Sequence, residues 1–292
     1  MDDINGKAKT LLEKSGTWVD PVQTPSVLVE TELMQGKDFI DILTQPAMAV
    51  QGQVSKKAHT AAVILAGGIG ERFGNRSGKQ LIELHGKPIL TWSAEAFDAV
   101  PEVGLIVVVA PENRMEEYCR VAIDAFPFVT PVIMAPAGAF RQESSFSGIS
   151  KVPESYEYIA IHDASRPLVT PGLISHTLSA ILGNLDADGA VVGYPAIDTL
   201  KIVSDEGIIG TPDRSAFWVA QTPQVFRSDV LRRAHATALA EGFVGTDDSS
   251  LVERIDGNVL LVHGPRNNIK LTTPEDRLAI EAGLAMRLRE QP

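Results

Sequence analysis

Residues 66–80 read AGGIGERFGNRSGKQ and follow directly on the apolar run AAVIL at 61–65. The glycines leave little side-chain bulk, so backbone N–H groups can approach an anion closely, and Arg72 and Lys79 add mobile cations to the same loop. The chemistry open to such a set is the holding of a phosphate, a polyphosphate or a base. Two phosphate motifs can be tested by spacing. A Walker A loop needs G-x-x-x-x-G-K-[ST], but Phe73 stands at its first glycine and Gln80 replaces the hydroxyl that binds magnesium. The dinucleotide pattern G-x-G-x-x-G is met at Gly68 and Gly70 and fails at Phe73, and no clear acidic residue ends the second strand. Taken alone, the loop reads equally as a phosphate cradle and as an ordinary glycine-rich turn with solvated bases.

Such a loop can act only if rigid elements deliver it. The runs AAVILAG (61–67), GLIVVVAP (104–111), TPVIMA (130–135), YEYIAIHD (156–163) and GAVVGYP (189–195) are β-branched and lack strict alternation, as strands buried on both faces do. Helical segments at 88–100, 115–126 and 170–184 lie between them, the last with Thr170 as N-cap and Pro171 at its first position. This alternation predicts an α/β, Rossmann-like fold: a mostly parallel twisted sheet with helices on both faces. In such sheets ligands gather beyond the carboxyl ends of the strands. Chemistry is therefore expected at the glycine loop, at His162-Asp163 and the following ASRP, and at Asp198-Thr199.

Residues 200–226 carry two apolar runs around SDEG and read as a β-hairpin arm protruding from the domain, centred on about 195–218. The chain returns through a helix capped by Ser228, a short helix in DDSSLVERIDG, the strand NVLLVHG and a closing helix with Thr273 as cap and Pro274 first. Residues 1–58 show no sustained period and read as an appendage, either flexible or partly helical, ahead of a domain at 59–292.

Composition narrows the partners. The 292 residues are 44% apolar and 22% charged, which suits a globular core. A net charge of −11 disfavours nucleic acid and anionic membrane surfaces, so an anionic ligand must be small and met by clustered bases. The single cysteine, Cys119, reads as a buried thiol and fits a reducing compartment. The opening MDDINGKAK is neither a secretory signal nor a transit peptide, and no run approaches the roughly eighteen apolar residues of a membrane span, so the expected location is the cytoplasm.

Seven separated elements occur in order: LAGGxGxRxxxxxxKQ at 65–80, Gly-x-x-Arg-x-x-Ser at 138–144, HDASRP at 162–167, DTLK at 198–201, QTPQVF at 221–226, TDD at 246–248 and NIKLTTPEDR at 268–277. This set resembles the 2-C-methyl-D-erythritol 4-phosphate cytidylyltransferase family, within the sugar-phosphate nucleotidyltransferases, and spans residues 60 to about 288. The resemblance implies transfer of CMP from CTP to that polyol phosphate with release of pyrophosphate, a step of non-mevalonate isoprenoid precursor synthesis. The attacking phosphate oxygen is ionised at neutral pH, so such chemistry needs positioning and charge neutralisation rather than a nucleophilic side chain.

Residue by residue, the resemblance makes Arg72, Lys79 and Lys270 catalytic. It assigns Ala66, Gly67, Gly68, Gly70, Gly138, Ser144 and Asp163 to the nucleotide. Asp163, Arg166, Thr199, Arg214, Thr222, Thr246 and Lys270 fall to the acceptor. Mg2+ is implied as cofactor, held mainly by the CTP phosphates with Asp163 as a candidate ligand. The family's arm implies a homodimer in which Thr199 and Arg214 complete the neighbour's site, and an exposed hairpin edge is an independent reason for pairing. Ser144 also reads as a helix N-cap, and Asp163 with Arg166 as a structural ion pair. His162 reads as a packed or hydrogen-bonded residue, and Arg141 as a support or a solvent-facing side chain outside the site.

Three departures stand out. Gly78 occupies the place of the family's usual proline, which predicts a less preorganised loop with Lys79 ordered only by ligand. Leu65 and Gly67-Gly68 replace a Pro-Ala-Ala-Gly start and resemble the related ribitol 5-phosphate enzymes, which keeps that acceptor open as the alternative. Ser249 after TDD departs from the commoner Asp-Glu-Ala. A nucleotide-binding protein without catalysis is the reading from another class; bases on both the triphosphate and acceptor sides argue against it.

Overall fold

The structure, a computed structural model, describes residues 49–50, 59–68 and 78–290. The expectation that the leader is flexible or partly helical therefore lies outside the described residues, apart from Ala49 and Val50.

In chain order the strands are β1 (Ala49–Val50), β2 (Thr60–Leu65), β3 (Glu83–Leu84), β4 (Lys87–Pro88), β5 (Val103–Ala110), β6 (Val132–Pro136), β7 (Tyr158–Asp163), β8 (Gly189–Pro195), β9 (Ile202–Ser204), β10 (Gly207–Gly210), β11 (Trp218–Arg227) and β12 (Val259–His263). The α-helices are α1 (Ile89–Asp98), α2 (Met115–Ala122), α3 (Arg141–Ser150), α4 (Pro171–Leu182), α5 (Ser228–Glu241), α6 (Asp248–Arg254) and α7 (Pro274–Glu290).

Eight strands form one sheet in the order β1-β6-β5-β2-β7-β11-β8-β12. The neighbours β6-β5, β5-β2, β2-β7 and β8-β12 are parallel, while β1 and β11 run antiparallel to β6 and β7. The continuous apolar runs follow from burial on both faces. Ala62, Ile64, Ile106 and Val108 enter one core with side chains of α1, α2 and α4; Ala61, Val63, Val107 and Val109 enter the other with those of α3, α5 and α6. A third cluster seats α7 through Ile280 and Leu284 against Leu84, Trp92 and Leu271.

Local signals place most helices. The Thr170 hydroxyl accepts from Leu173 N at 3.2 Å, as its capping role requires, and Asp247 caps α6 by accepting from Ser250 N at 3.1 Å. Arg227, not Ser228, takes the cap position of α5. Ahead of α7, Asp276 accepts from the backbone N–H of Thr272 and Thr273.

One expectation fails and one helix had no signal. QTPQVF lies in β11 inside the main sheet rather than in the arm, and helix α3 arises from RQESSFSGIS, a stretch with no apolar period. Both are cases of polar side chains buried for specific bonds. Gln221 donates to the carbonyls of Pro265 and Asn268, and Gln224 donates to Asp247 at 2.7 Å.

Residues Pro195–Val219 belong to a second compact unit. There β9 and β10 pair antiparallel as a hairpin, and Ala196 N donates to Phe217 O at 2.9 Å. Val203 and Ile208 on the hairpin are 65% and 66% exposed.

Candidate active site

Parallel strands β6, β5, β2 and β7 bring their carboxyl ends to one side of the sheet, where they border a cavity of about 580 Å³, a volume in the range of small-molecule sites. After β2 come Gly67 and Gly68, after β5 Pro111, after β6 Gly138 and Ala139, and β7 ends in Asp163. The cavity wall requires glycine at 67: a Cβ there would stand 2.3 Å from the Ala137 Cβ. Across from it the Ser144 hydroxyl accepts from Gly138 N at 3.1 Å, and buried Glu143 accepts from Ala139 N at 2.8 Å. Ser144 is the fourth residue of α3, whose cap is Phe140, so it holds the strand-ending turn rather than capping the helix.

Lys79 and Gln80 approach from the glycine loop. Gln80 is buried, donates to Gly68 O at 3.0 Å and accepts from the Tyr118 hydroxyl at 3.3 Å. Lys79 Nζ donates to Leu271 O at 2.7 Å. The expectation of a lysine ordered only by ligand is thus corrected: neighbours on both sides seat this end of the loop. Gly78 has φ +76°, and a Cβ there would lie 2.3 Å from the Tyr118 hydroxyl. Tyr118 dictates glycine at 78, and proline, locked near φ −65°, does not fit. Gly78→Pro, which writes the family's usual residue into this chain, is expected to cost about 1–3 kcal/mol, the range for a residue forced out of its backbone region. A lowered midpoint in thermal unfolding checks this, and an unchanged one rejects it.

Asp163 is the electrostatic centre. Its carboxylate meets Lys270 Nζ at 2.8 Å, Arg141 Nε at 3.4 Å and Arg166 Nε at 3.8 Å. Burial alone would raise its pKa, but Arg141, Lys270 and Arg166 outweigh that and hold it well below the usual carboxylate range. Its N–H donates to the Thr222 hydroxyl at 3.1 Å, which also meets His162 Nδ1 at 3.0 Å. Burial brings the His162 pKa down to about 3, so the ring is neutral and packed against Phe97. Arg166 also donates to Asn268 O at 2.8 Å, and buried Asn268 donates to Thr222 O, which fixes the segment carrying Lys270.

Of the residues singled out in the sequence, Gly67, Gly68, Lys79, Gly138, Ser144, Asp163 and Lys270 line the cavity. Ala66 is buried at the end of β2, and Arg166 and Thr222 stand behind Asp163. Thr246 is exposed in the turn before α6 and is absent from the lining. Thr199 and Arg214 are exposed on the second unit, where Arg214 donates to Ile197 O. Gly70 and Arg72 lie outside the described residues. Arg141, left out by the sequence reading, lines the cavity and touches Asp163. Its signal was the arginine three residues after Gly138 in the Gly-x-x-Arg-x-x-Ser element, which says nothing of the carboxylates the fold brings to it.

The family model described as 2-C-methyl-D-erythritol 4-phosphate cytidylyltransferase matches residues 60–286. Two curated proteins of that name are similar to the chain. The one from Caldanaerobacter subterraneus subsp. tengcongensis is 42% identical over 226 residues, 76% of this chain and 97% of its own. The one from Geotalea uraniireducens is 41% identical, covering 76% and 95%. Among solved structures, the 4-diphosphocytidyl-2C-methyl-D-erythritol synthase of Anaerococcus prevotii superposes with a TM-score of 0.67 at 26% identity, over 80% of this chain and all of that one.

Proposed function

The chain belongs to the 2-C-methyl-D-erythritol 4-phosphate cytidylyltransferase family, and we propose that it transfers CMP from CTP to 2-C-methyl-D-erythritol 4-phosphate, forming the CDP-polyol and pyrophosphate. The observation that carries this reading is the three-cation ring around Asp163, facing glycine backbone across one cavity.

The arrangement supports a division of labour. Ala66, Gly67, Gly138 and Ser144 offer backbone groups and a hydroxyl to the cytosine. Lys79, with Arg72, Gly68 and Gly70, holds the triphosphate. Lys270 and Arg166 neutralise the phosphate oxygens at the reacting centre, where charge grows on the α-phosphate and on the departing pyrophosphate. Asp163 accepts from acceptor hydroxyls and keeps these cations in place, and Thr222 fixes the backbone of Asp163. Thr246 contributes from the acceptor side. No step calls for a covalent nucleophile, and neutral, buried His162 serves structure.

The donor set also suits a hard divalent cation. Among the described residues no group of three or more His, Cys, Asp or Glu side chains is placed to hold one. Mg2+ would take its oxygens mainly from the CTP phosphates, with the Asp163 carboxylate as protein ligand, and would supply charge neutralisation on the triphosphate.

The exposed apolar residues of the β9-β10 hairpin suit pairing with a second copy, in which Thr199 and Arg214 would serve the neighbouring site. Light scattering at micromolar concentration is expected to give twice the chain mass; the mass of one chain rejects the dimer. No helix among the described residues is long and apolar enough to cross a membrane.

Pyrophosphate release measured with CTP and each acceptor separately tests the reaction. Turnover is expected with 2-C-methyl-D-erythritol 4-phosphate; turnover with ribitol 5-phosphate alone overturns the acceptor assignment, and none with either overturns the reaction.

A further inference from the structure

Arg141 opens α3 and forks between two carboxylates. Its Nε stands 3.4 Å from Asp163 Oδ1, and its Nη1 donates to Asp248 Oδ2 at 2.7 Å. Asp248 is 1% exposed, and its other oxygen is taken by the Ser145 hydroxyl at 2.5 Å and His235 Nε2 at 2.9 Å. Ser145 lies on α3, His235 on α5 and Asp248 on α6, so three packed helices converge on the anchor. Burial raises and the Arg141 charge lowers the Asp248 pKa, with the balance well below the usual carboxylate range, so the pair is ionic.

The three cations on Asp163 are therefore unequal. Lys270 is 38% exposed, and its ammonium is a point charge on a flexible stem, able to turn from Asp163 to an arriving phosphate oxygen. Arg166 faces Asp163 at a longer distance, 3.8 Å. Arg141 alone of the three is tied to a second carboxylate; leaving Asp163 to follow a ligand would strand buried Asp248 or break its own geometry. When a phosphate draws Lys270 away, Arg141 is the cavity-facing contact that stays.

We infer that Arg141 is a positioning residue for this reaction: anchored by Asp248, which Ser145 and His235 hold in turn, it fixes the orientation of the Asp163 carboxylate towards the acceptor while Lys270 engages phosphate. The inference rests on the cytidylyltransferase reading. A lysine at 141 would keep the charge without the planar fork that spans both carboxylates.

The test compares the parent with Arg141→Lys and Arg141→Ala in steady-state pyrophosphate release with CTP and 2-C-methyl-D-erythritol 4-phosphate, alongside calorimetric CTP binding. Misplacing a positioning group costs about 10²-fold. Expected are a fall of kcat over acceptor KM of about that size in Arg141→Ala and a smaller, roughly tenfold fall in Arg141→Lys, with CTP affinity within about threefold of the parent. Should the alanine variant fail to fold, the same split in Arg141→Lys decides. Parent-like turnover in a folded variant, or a loss confined to CTP affinity with kcat unchanged, overturns the inference. A parent that does not turn over at all instead overturns the function itself, and the role of Arg141 falls with it.

Discussion

Replacing Lys270 by alanine is expected to lower kcat by about 10²–10³-fold, the loss typical of removing one preorganised charge from the site of developing negative charge. Lys270 is partly exposed and sits 2.8 Å from Asp163 at the cavity wall. The fold does not depend on its head group, because buried Asn268 and Leu271 seat the segment on either side: Asn268 donates to Thr222 O at 2.9 Å, and Leu271 N donates to Ser165 O at 2.8 Å. A thermal midpoint near that of the parent should therefore accompany the loss. Arginine at 270 restores charge without the compact ammonium and should recover only part of the rate. Saturating both substrates in a pyrophosphate-release assay gives kcat directly; parent-like turnover in Lys270→Ala would remove this residue from the mechanism.

The second large effect falls on stability. Asp248→Ala deletes the carboxylate shared by Arg141, Ser145 and His235, and breaking a buried ion pair from one side costs about 3–5 kcal/mol. For a domain of this size that corresponds to a fall of roughly 10 °C in the unfolding midpoint. The effect carries a pH signature. The Asp248 pKa in the folded protein lies below its ordinary value of about 4, so the folded state gains from ionisation above that value. That gain is complete at neutral pH and is lost as pH falls below about 4 towards the folded value. The gap between parent and Asp248→Ala midpoints should therefore be widest near neutrality and narrow in acid. Calorimetric midpoints across that range check it; a gap that widened in acid would show that the carboxylate is not held ionised.

Much of this was legible in the sequence. AAVIL, GLIVVVA and YIAIHD could be recognised as strands because side chains alternate into two apolar cores, which leaves no polar face to break the run. The same logic located Asp163, since a strand end is where such a sheet exposes polar groups. What escaped was polar burial. Arg141 read as a support or a solvent-facing side chain because its partner, Asp248, lies on another helix, and Gln221 and Gln224 disguised a core strand because their amides bond to loops across the fold. Gly78 invited the reading of a looser loop. The side chain that explains it, Tyr118, lies on α2, and no local pattern announces that its hydroxyl fills the space over residue 78.

The bond from Lys79 to the Leu271 carbonyl spans 192 residues, and Arg141 reaches Asp248 across 107. A ribosome must therefore release nearly the whole chain before either contact can form. The early strands can pair as they emerge, yet a growing or truncated polypeptide that ends before Asn268 has neither Lys270 nor the carbonyl that seats Lys79.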